Sequence, residues 1–173
     1  MSEQLLKVYT VDFKLGTIFA AESLRGLCAL TLPQNSGRDF ALLLDRRAPG
    51  AQTLPVEAGE TLSGRQLLAY LDGQGGPLDA PVDMEGLSDF ARAVMERVRA
   101  IPFGQTRTYG RIAQEAGRPG AARAVGQVMH HNPVPLFVPC HRVLGSSGSL
   151  TGFGAGLSTK QALLELERGG RLF

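Results

Sequence analysis

Cys140 and His141 stand side by side at the end of the stretch NPVPLFVPCHR, which runs from Asn132 to Arg142. A free cysteine has a pKa near ~8.5 and is only slightly ionised at neutral pH; a neighbouring imidazole or imidazolium raises its thiolate fraction and makes it a useful nucleophile. The pair therefore points to covalent chemistry, to be weighed against a cysteine that serves only as a small buried hydrophobe. Pro133, Pro135 and Pro139 bring the backbone to the thiol extended and with few conformers to lose. Successive side chains of an extended chain face opposite ways, so a turn after Pro139 or a bridging water is needed for the imidazole to serve the thiol. A metal centre built from His130, His131, Cys140 and His141 is not expected. No C-x-x-C spacing occurs, and consecutive histidines on a helix diverge.

The rest of the chain must position that pair. With 173 residues, 43% of them apolar, it has material for one large domain or two small ones around a real core. The N-terminal MSEQLLKVYT lacks a secretory apolar run and no segment has the length of a membrane span, so the chain reads as soluble and cytoplasmic, with Cys28 and Cys140 kept as thiols. Cys28, within the apolar SLRGLCALTL, is read as a core residue. Charge is divided unevenly: residues 1–87 carry 7 Lys and Arg against 11 Asp and Glu, whereas residues 88–173 carry 11 against 5. Ten of those eleven cations are arginine, which suits bidentate contact with phosphate, so the second half is the one expected to face a polyanion.

The first third reads as an antiparallel meander, with strands at 7–13, 17–23 and 26–32 and a Lys14-Leu15-Gly16 connection. Helices follow at 37–47 and 62–71. The Gly-, Pro- and acid-rich segment 72–88 is the best candidate boundary. Beyond it, helix 88–101 has Ser88 as N-cap and a Phe90, Val94, Val98, Ile101 stripe. Helix 108–117, a short RPG turn and helix 121–131 then give the outline of a helix-turn-helix. The second of these carries Ala121, Ala122, Ala124 and Gly126, with almost no hydrogen-bonding surface for base edges, and one long cation, Arg123. That surface suits insertion into a groove or a base stack with little sequence preference. Glycines at 145, 148, 152, 154 and 156 suggest a backbone-lined pocket for a flat ligand or else a flexible loop. The last helix is expected to open at Ser158, with Gln161 completing a capping box and Leu157 as staple. Glu167 lies near its C-terminus, unfavourable for the helix dipole, and taken alone is a solvated acid paired with Arg168 or Arg171.

PCHRV (139–143), NPVP (132–135), TYGRIAQEAGRPGAARAVG (108–126) and the Ser-Ser-Gly loop with its closing helix together resemble the O6-alkylguanine-DNA alkyltransferase family, over about residues 88–168. The resemblance implies an α/β (α+β) fold: a small N-terminal ribonuclease-H-like α/β domain (1–80) and a C-terminal helical winged-helix-like DNA-binding domain (88–173), joined by a linker at 72–88. It implies irreversible transfer of an alkyl group from O6-alkylguanine, and from O4-alkylthymine, to Cys140 in one turnover, after the nucleotide has been rotated out of the duplex. His141 would activate Cys140 through water, Glu167 would hold the imidazole in the useful tautomer, and Asn132 would brace the turn. Tyr109, Val143, Gly152, Gly154 and Gly156 would hold the extruded base. Arg123, Ala121, Ala122, Tyr109 and Arg142 would face double-stranded DNA from the minor groove, with Arg123 filling the vacated stack.

Because a thioether does not hydrolyse, no cofactor is expected. Zinc is bound by some members through N-terminal cysteines and histidines; residues 1–87 hold only Cys28 and no histidine, so no metal is expected. Gly154 stands where others carry serine, which leaves any guanine contact there to backbone. A monomer is expected. Three other classes compete: a helix-turn-helix regulator, disfavoured by the bare second helix; a lesion sensor without chemistry, disfavoured by Cys140; and a cysteine hydrolase, which would turn over repeatedly.

Overall fold

The computed structural model describes residues 4–13, 15–74 and 76–169. Lys14 of the expected first turn and Arg171, one expected partner of Glu167, lie outside them. The chain divides into two compact units: Met1–Asp83 with Pro133–Phe137, and Met84–Asn132 with Val138–Phe173.

The first unit is built on the expected meander. Strands β1 (Leu5–Phe13), β2 (Gly16–Ser23) and β3 (Gly26–Thr31) pair antiparallel in sequence. Helix α1 (Gly37–Arg47) then returns the chain to β4 (Gln52–Pro55), which pairs parallel to β1 and completes the order β3-β2-β1-β4. Four residues exposed throughout carry no hydrophobic alternation, which is why β4 has no sequence signature. Ser36 caps α1 through a reciprocal capping box with Asp39. One apolar cluster gathers Leu6, Ala21, Cys28, Ala29, Phe40 and Ala48, and the Phe40 ring stacks on Phe19 with centroids 5.6 Å apart. Helix α2 (Leu62–Leu71) buries Ser63, Gly64, Leu67 and Tyr70. Its Ser63 hydroxyl bonds the buried Tyr9 hydroxyl and the Glu22 carboxylate.

An open sheet edge invites unwanted pairing, and the β3 edge is occupied. Leu27 N–H donates to the Pro81 carbonyl at 2.8 Å, Asp83 N–H to Leu27 at 2.9 Å, and Leu30 N–H to the Pro133 carbonyl at 2.7 Å. Gly26 makes this approach possible. Its φ is +127°, and a Cβ there would lie 2.2 Å from the Pro81 oxygen. The segment leading to Cys140 is thus partly a member of the N-terminal unit.

The second unit opens with α3 (Asp89–Arg99), capped by Ser88, which buries Val94, Met95 and Val98; Ile101 is buried just beyond its end. Each such side chain contributes roughly 1.5–3 kcal/mol on removal from water. Strand β5 (Arg107–Thr108) leads straight into α4 (Tyr109–Glu115), capped by the Thr108 hydroxyl. Gly117 ends that helix at φ +78°, and α5 (Ala122–His130) follows, burying Val125 and Met129. After the cysteine, β6 (Val143–Leu144) pairs parallel to β5, and α6 (Leu157–Glu167) closes the unit. Helix α6 departs from expectation at its start. Gly156, at φ +85°, is the N-cap and makes no side-chain cap bond; Ser158 lies inside the helix, so the Ser158–Gln161 capping box does not form. The glycine accommodates the positive φ that ends the preceding turn, which moves the N-cap two residues earlier, from Ser158 to Gly156.

No helix among the described residues is long and apolar enough to cross a membrane.

Candidate active site

The turn that the Cys-His pair requires is present. Cys140–Arg142 forms a single 3-10 turn after Pro139, with the Arg142 N–H donating to the Pro139 carbonyl at 2.8 Å. Asn132 holds the approach: its side-chain amide donates to the Val138 carbonyl at 2.8 Å. Val138 in turn accepts the Cys140 N–H at 2.7 Å. One strand pairing then ties a neighbouring segment to this turn. Val143 and Leu144 pair with Arg107 and Thr108, which sets Tyr109, the first residue of α4, relative to the residues just after the cysteine.

His141 is fully buried, and its Nε2 lies 2.7 Å from Glu167 Oε1. Nδ1 makes no hydrogen bond within the described residues. The carboxylate accepts from Nε2, so the proton sits there and Nδ1 is the basic nitrogen. Burial lowers the imidazole pKa, with the Arg142 and Lys160 charges acting in the same direction and Glu167 opposing; the ring is therefore neutral in the resting protein. Burial likewise raises the Cys140 thiol, while the Asn132 amide, the Lys160 charge and backbone N–H groups pull it down. Cys140 as a whole is 6% exposed. A buried, protonated thiol is a poor nucleophile until a base takes its proton.

Glu167 is not the solvated acid that its position near a helix end suggests. Its side chain is fully buried, and burial alone would raise its pKa, but hydrogen bonds and charge from His141 and Arg142 outweigh this and hold the carboxyl at about 2. Arg142 also stands elsewhere than expected. It is only 7% exposed, and Nε and Nη2 clamp Glu167 Oε2 and Oε1 at 2.8 and 2.9 Å while Nη1 donates to the Ile101 carbonyl at 2.7 Å. A guanidinium so engaged does not face a phosphate, which corrects its placement among the DNA contacts. Buried cations need paired acceptors, and Glu167 supplies them.

Residue Lys160 escaped the sequence reading. It is fully buried, donates from Nζ to the Val143 carbonyl at 2.6 Å and to Thr151 at 3.1 Å, and lies 5.8 Å from the Tyr109 ring centre and 5.9 Å from that of Phe153. A signal existed in the spacing: Lys160, Leu163, Leu164 and Glu167 fall at i, i+3, i+4 and i+7, and all are buried. The Tyr109 hydroxyl bonds Thr151 and Gly152 carbonyls at 3.2 and 3.5 Å. Tyr109, Val143 and Gly152 are thus joined through Lys160 and Thr151. Gly152, Gly154 and Gly156 are exposed, with Gly152 at φ +49°. Arg123 and Ala124 are exposed on α5, with Ala121 and Ala122 half-buried at its start. No group of three or more metal-ligating side chains occurs among the described residues.

A helical unit with a helix-turn-helix outline, bearing a buried cysteine followed directly by an imidazole oriented by a carboxylate, is the arrangement of a DNA-directed protein that reacts through its own thiol. Residues 89–169 match the family model described as 6-O-methylguanine DNA methyltransferase, DNA binding domain. A methylated-DNA–protein-cysteine methyltransferase of Mycolicibacterium paratuberculosis is 45% identical over 139 residues, 77% of this chain and 84% of that one. Its namesake in Mycobacterium tuberculosis is 52% identical over 103 residues, 60% of this chain and 62% of its own. The crystal structure of the M. tuberculosis O6-methylguanine methyltransferase superposes with a TM-score of 0.77 at 38% identity, covering 95% of this chain and 93% of that one. That of the M. tuberculosis OGT in complex with DNA gives 0.77 at 37%, covering 94% and 93%. The chain belongs to the methylated-DNA–protein-cysteine methyltransferase family.

Proposed function

We propose that this chain repairs duplex DNA by moving the alkyl group of O6-alkylguanine, and of O4-alkylthymine, onto Cys140, once per molecule. The observation that carries this reading is the chain of contacts behind the thiol: His141 with a basic, unpartnered Nδ1, and Glu167 bonded to Nε2. The thiol proton passes through a water to Nδ1. Sulfur then attacks the alkyl carbon in line, a C–S bond forms, the C–O bond breaks, and the electron pair leaves with guanine. Imidazolium formed in this step is stabilised by the Glu167 carboxylate. Tyr109, Val143 and the Gly152–Gly156 loop hold the extruded base, and Asn132 braces the turn.

Arg123, on a helix otherwise smooth at Ala121, Ala122 and Ala124, enters the duplex from the minor groove with little sequence preference. The proposed working form is a monomer in the cytoplasm, where a reducing medium keeps Cys140 a thiol. The N-terminal domain spans 1–80, the DNA-binding domain 88–173, and 72–88 links them.

Incubation with an O6-methylguanine oligonucleotide should add one methyl, found on the peptide containing Cys140, with yield capped at one per chain. Repeated turnover would defeat the reading. Arg123→Ala should slow transfer from duplex about 10- to 100-fold while changing reaction with free O6-benzylguanine less than about twofold, because only the duplex substrate requires a base to leave the stack at a cost of a few kcal/mol. Rates on the two substrates check this, and equal losses would refute the role of Arg123.

A further inference from the structure

We propose that Arg142 is a positioning residue of the transfer reaction: its guanidinium, held between Glu167 and the Ile101 carbonyl, fixes the carboxylate that orients His141 and keeps the imidazole neutral, so that Nδ1 can take the thiol proton. This rests on the function proposed above and adds a residue to it.

The geometry leaves Glu167 little freedom. Oε1 accepts from His141 Nε2 at 2.7 Å and from Arg142 Nη2 at 2.9 Å, while Oε2 accepts from Arg142 Nε at 2.8 Å and from the Gly104 N–H at 3.2 Å. Four donors from three residues, two of them adjacent in the Cys140–Arg142 turn, thus engage both oxygens. A fork of two parallel N–H groups matches a carboxylate plane, which a lysine cannot do. Ile101 anchors the fork from behind at 2.7 Å, and the Phe103 ring lies 5.8 Å from the guanidinium carbon. Backbone at Gly104 is suited to this approach: φ is +74°, and a Cβ would come within 3.1 Å of the Glu167 carbonyl oxygen.

Charge supplies the second half of the argument. The groups that face His141 are Glu167 and Lys160 from α6, and Cys140 and Arg142 from its own turn. With Arg142 present, Glu167 is already neutralised and a neutral imidazole leaves the buried Arg-Glu pair balanced. Take the guanidinium away and the buried carboxylate loses its fixed counter-charge, so its pull on the imidazole is no longer offset and His141 would hold a second proton more readily. Nδ1 would then be occupied before the thiol could use it. Arg142 thus adds to burial in keeping the base available, without touching the substrate.

The test uses the full chain as wild type, Arg142→Met and Arg142→Lys, with two readouts: the pH profile of single-turnover transfer from free O6-benzylguanine, and the imidazole protonation of His141 followed by nitrogen NMR. At about pH 6 wild-type His141 should carry less of its second proton than His141 of Arg142→Met, which should react about tenfold slower there than at its own plateau near pH 8. Arg142→Lys should keep the wild-type position of the acid limb, because the charge stays, with a plateau about fivefold lower because the fork is lost. DNA affinity should change less than about twofold in both variants, unlike the loss expected if a phosphate contact were removed. A neutral His141 in Arg142→Met at about pH 6, with a wild-type acid limb, would overturn the proposal. Should Arg142→Met fail to fold, Arg142→Lys decides: a plateau equal to wild type overturns the proposal, and a lowered plateau with an unmoved limb upholds it. Absence of transfer in the wild type would instead sink the proposed function, which the NMR readout keeps separate.

Discussion

Cys140→Ser will leave O6-methylguanine in duplex DNA essentially unrepaired, with the rate down by more than about 10³-fold and no methyl recovered on the 140 peptide. A hydroxyl is a far weaker acid than a thiol. His141, neutral and buried, lies much closer in basicity to a thiolate than to an alkoxide, even though burial lowers the imidazole and raises the thiol. DNA affinity should hold, since residue 140 is 6% exposed and the helix with Arg123 is a separate element of the unit. Folding should hold as well, because oxygen replaces sulfur at nearly the same size. Single-turnover repair assays with mass spectrometry of the protein would check both statements. Wild-type speed in the serine variant would remove the basis of the mechanism. Cys28 offers an internal control: buried in the apolar cluster, its thiol is pushed up to about 11, chiefly by desolvation, and should acquire no alkyl group.

Glu167→Gln should cost both rate and stability. An amide at this position cannot accept from His141 and Arg142 as a carboxylate does, and the buried guanidinium is left without its counter-charge. Breaking a buried pair in this way costs about 3–5 kcal/mol. Loss of imidazole orientation and of the charge that stabilises imidazolium should lower transfer about 10²- to 10⁴-fold. The pH dependence has a definite sign. Glu167 is ordinarily near 4.5 and is held at about 2 in the folded protein, so its stabilisation is present in full above about 4.5 and is lost as pH falls towards 2. His141, ordinarily 6.5, is lowered by burial; the unfolded chain therefore gains a proton first, and stability from this group also declines as pH falls below 6.5. Wild-type protein should thus lose stability on acidification, and the variant should show a shallower limb below about 4.5. Denaturant unfolding across this range would measure it, and a variant as acid-sensitive as wild type there would contradict the assignment.

Much of this was legible in the residue order. Helices at 37–47 and 62–71 lie where the periodicity places them, and the Ser88 and Thr108 caps form. The meander strands agree to within two residues at their ends. Strand β4 and the start of α6 were not legible, for opposite reasons. One is too short and exposed to carry a pattern, and the other had a plausible serine cap outcompeted by a glycine whose backbone already makes the turn.

The sequence alone determined that a cysteine and a histidine stand side by side after a rigid, proline-spaced approach, because these depend on residues adjacent along the chain. It also determined the smooth helix with one arginine, since hydrogen-bonding capacity is a property of residue type. The tertiary structure supplied the contacts between residues far apart along the chain. Glu167 meets His141 across 26 residues, Arg142 turns inward to the same carboxylate, and Lys160 reaches back 17 residues to Val143. Local rules see about one helical turn in each direction, whereas a buried charge takes whichever partner the fold delivers to it, since leaving it unpaired is the costlier outcome.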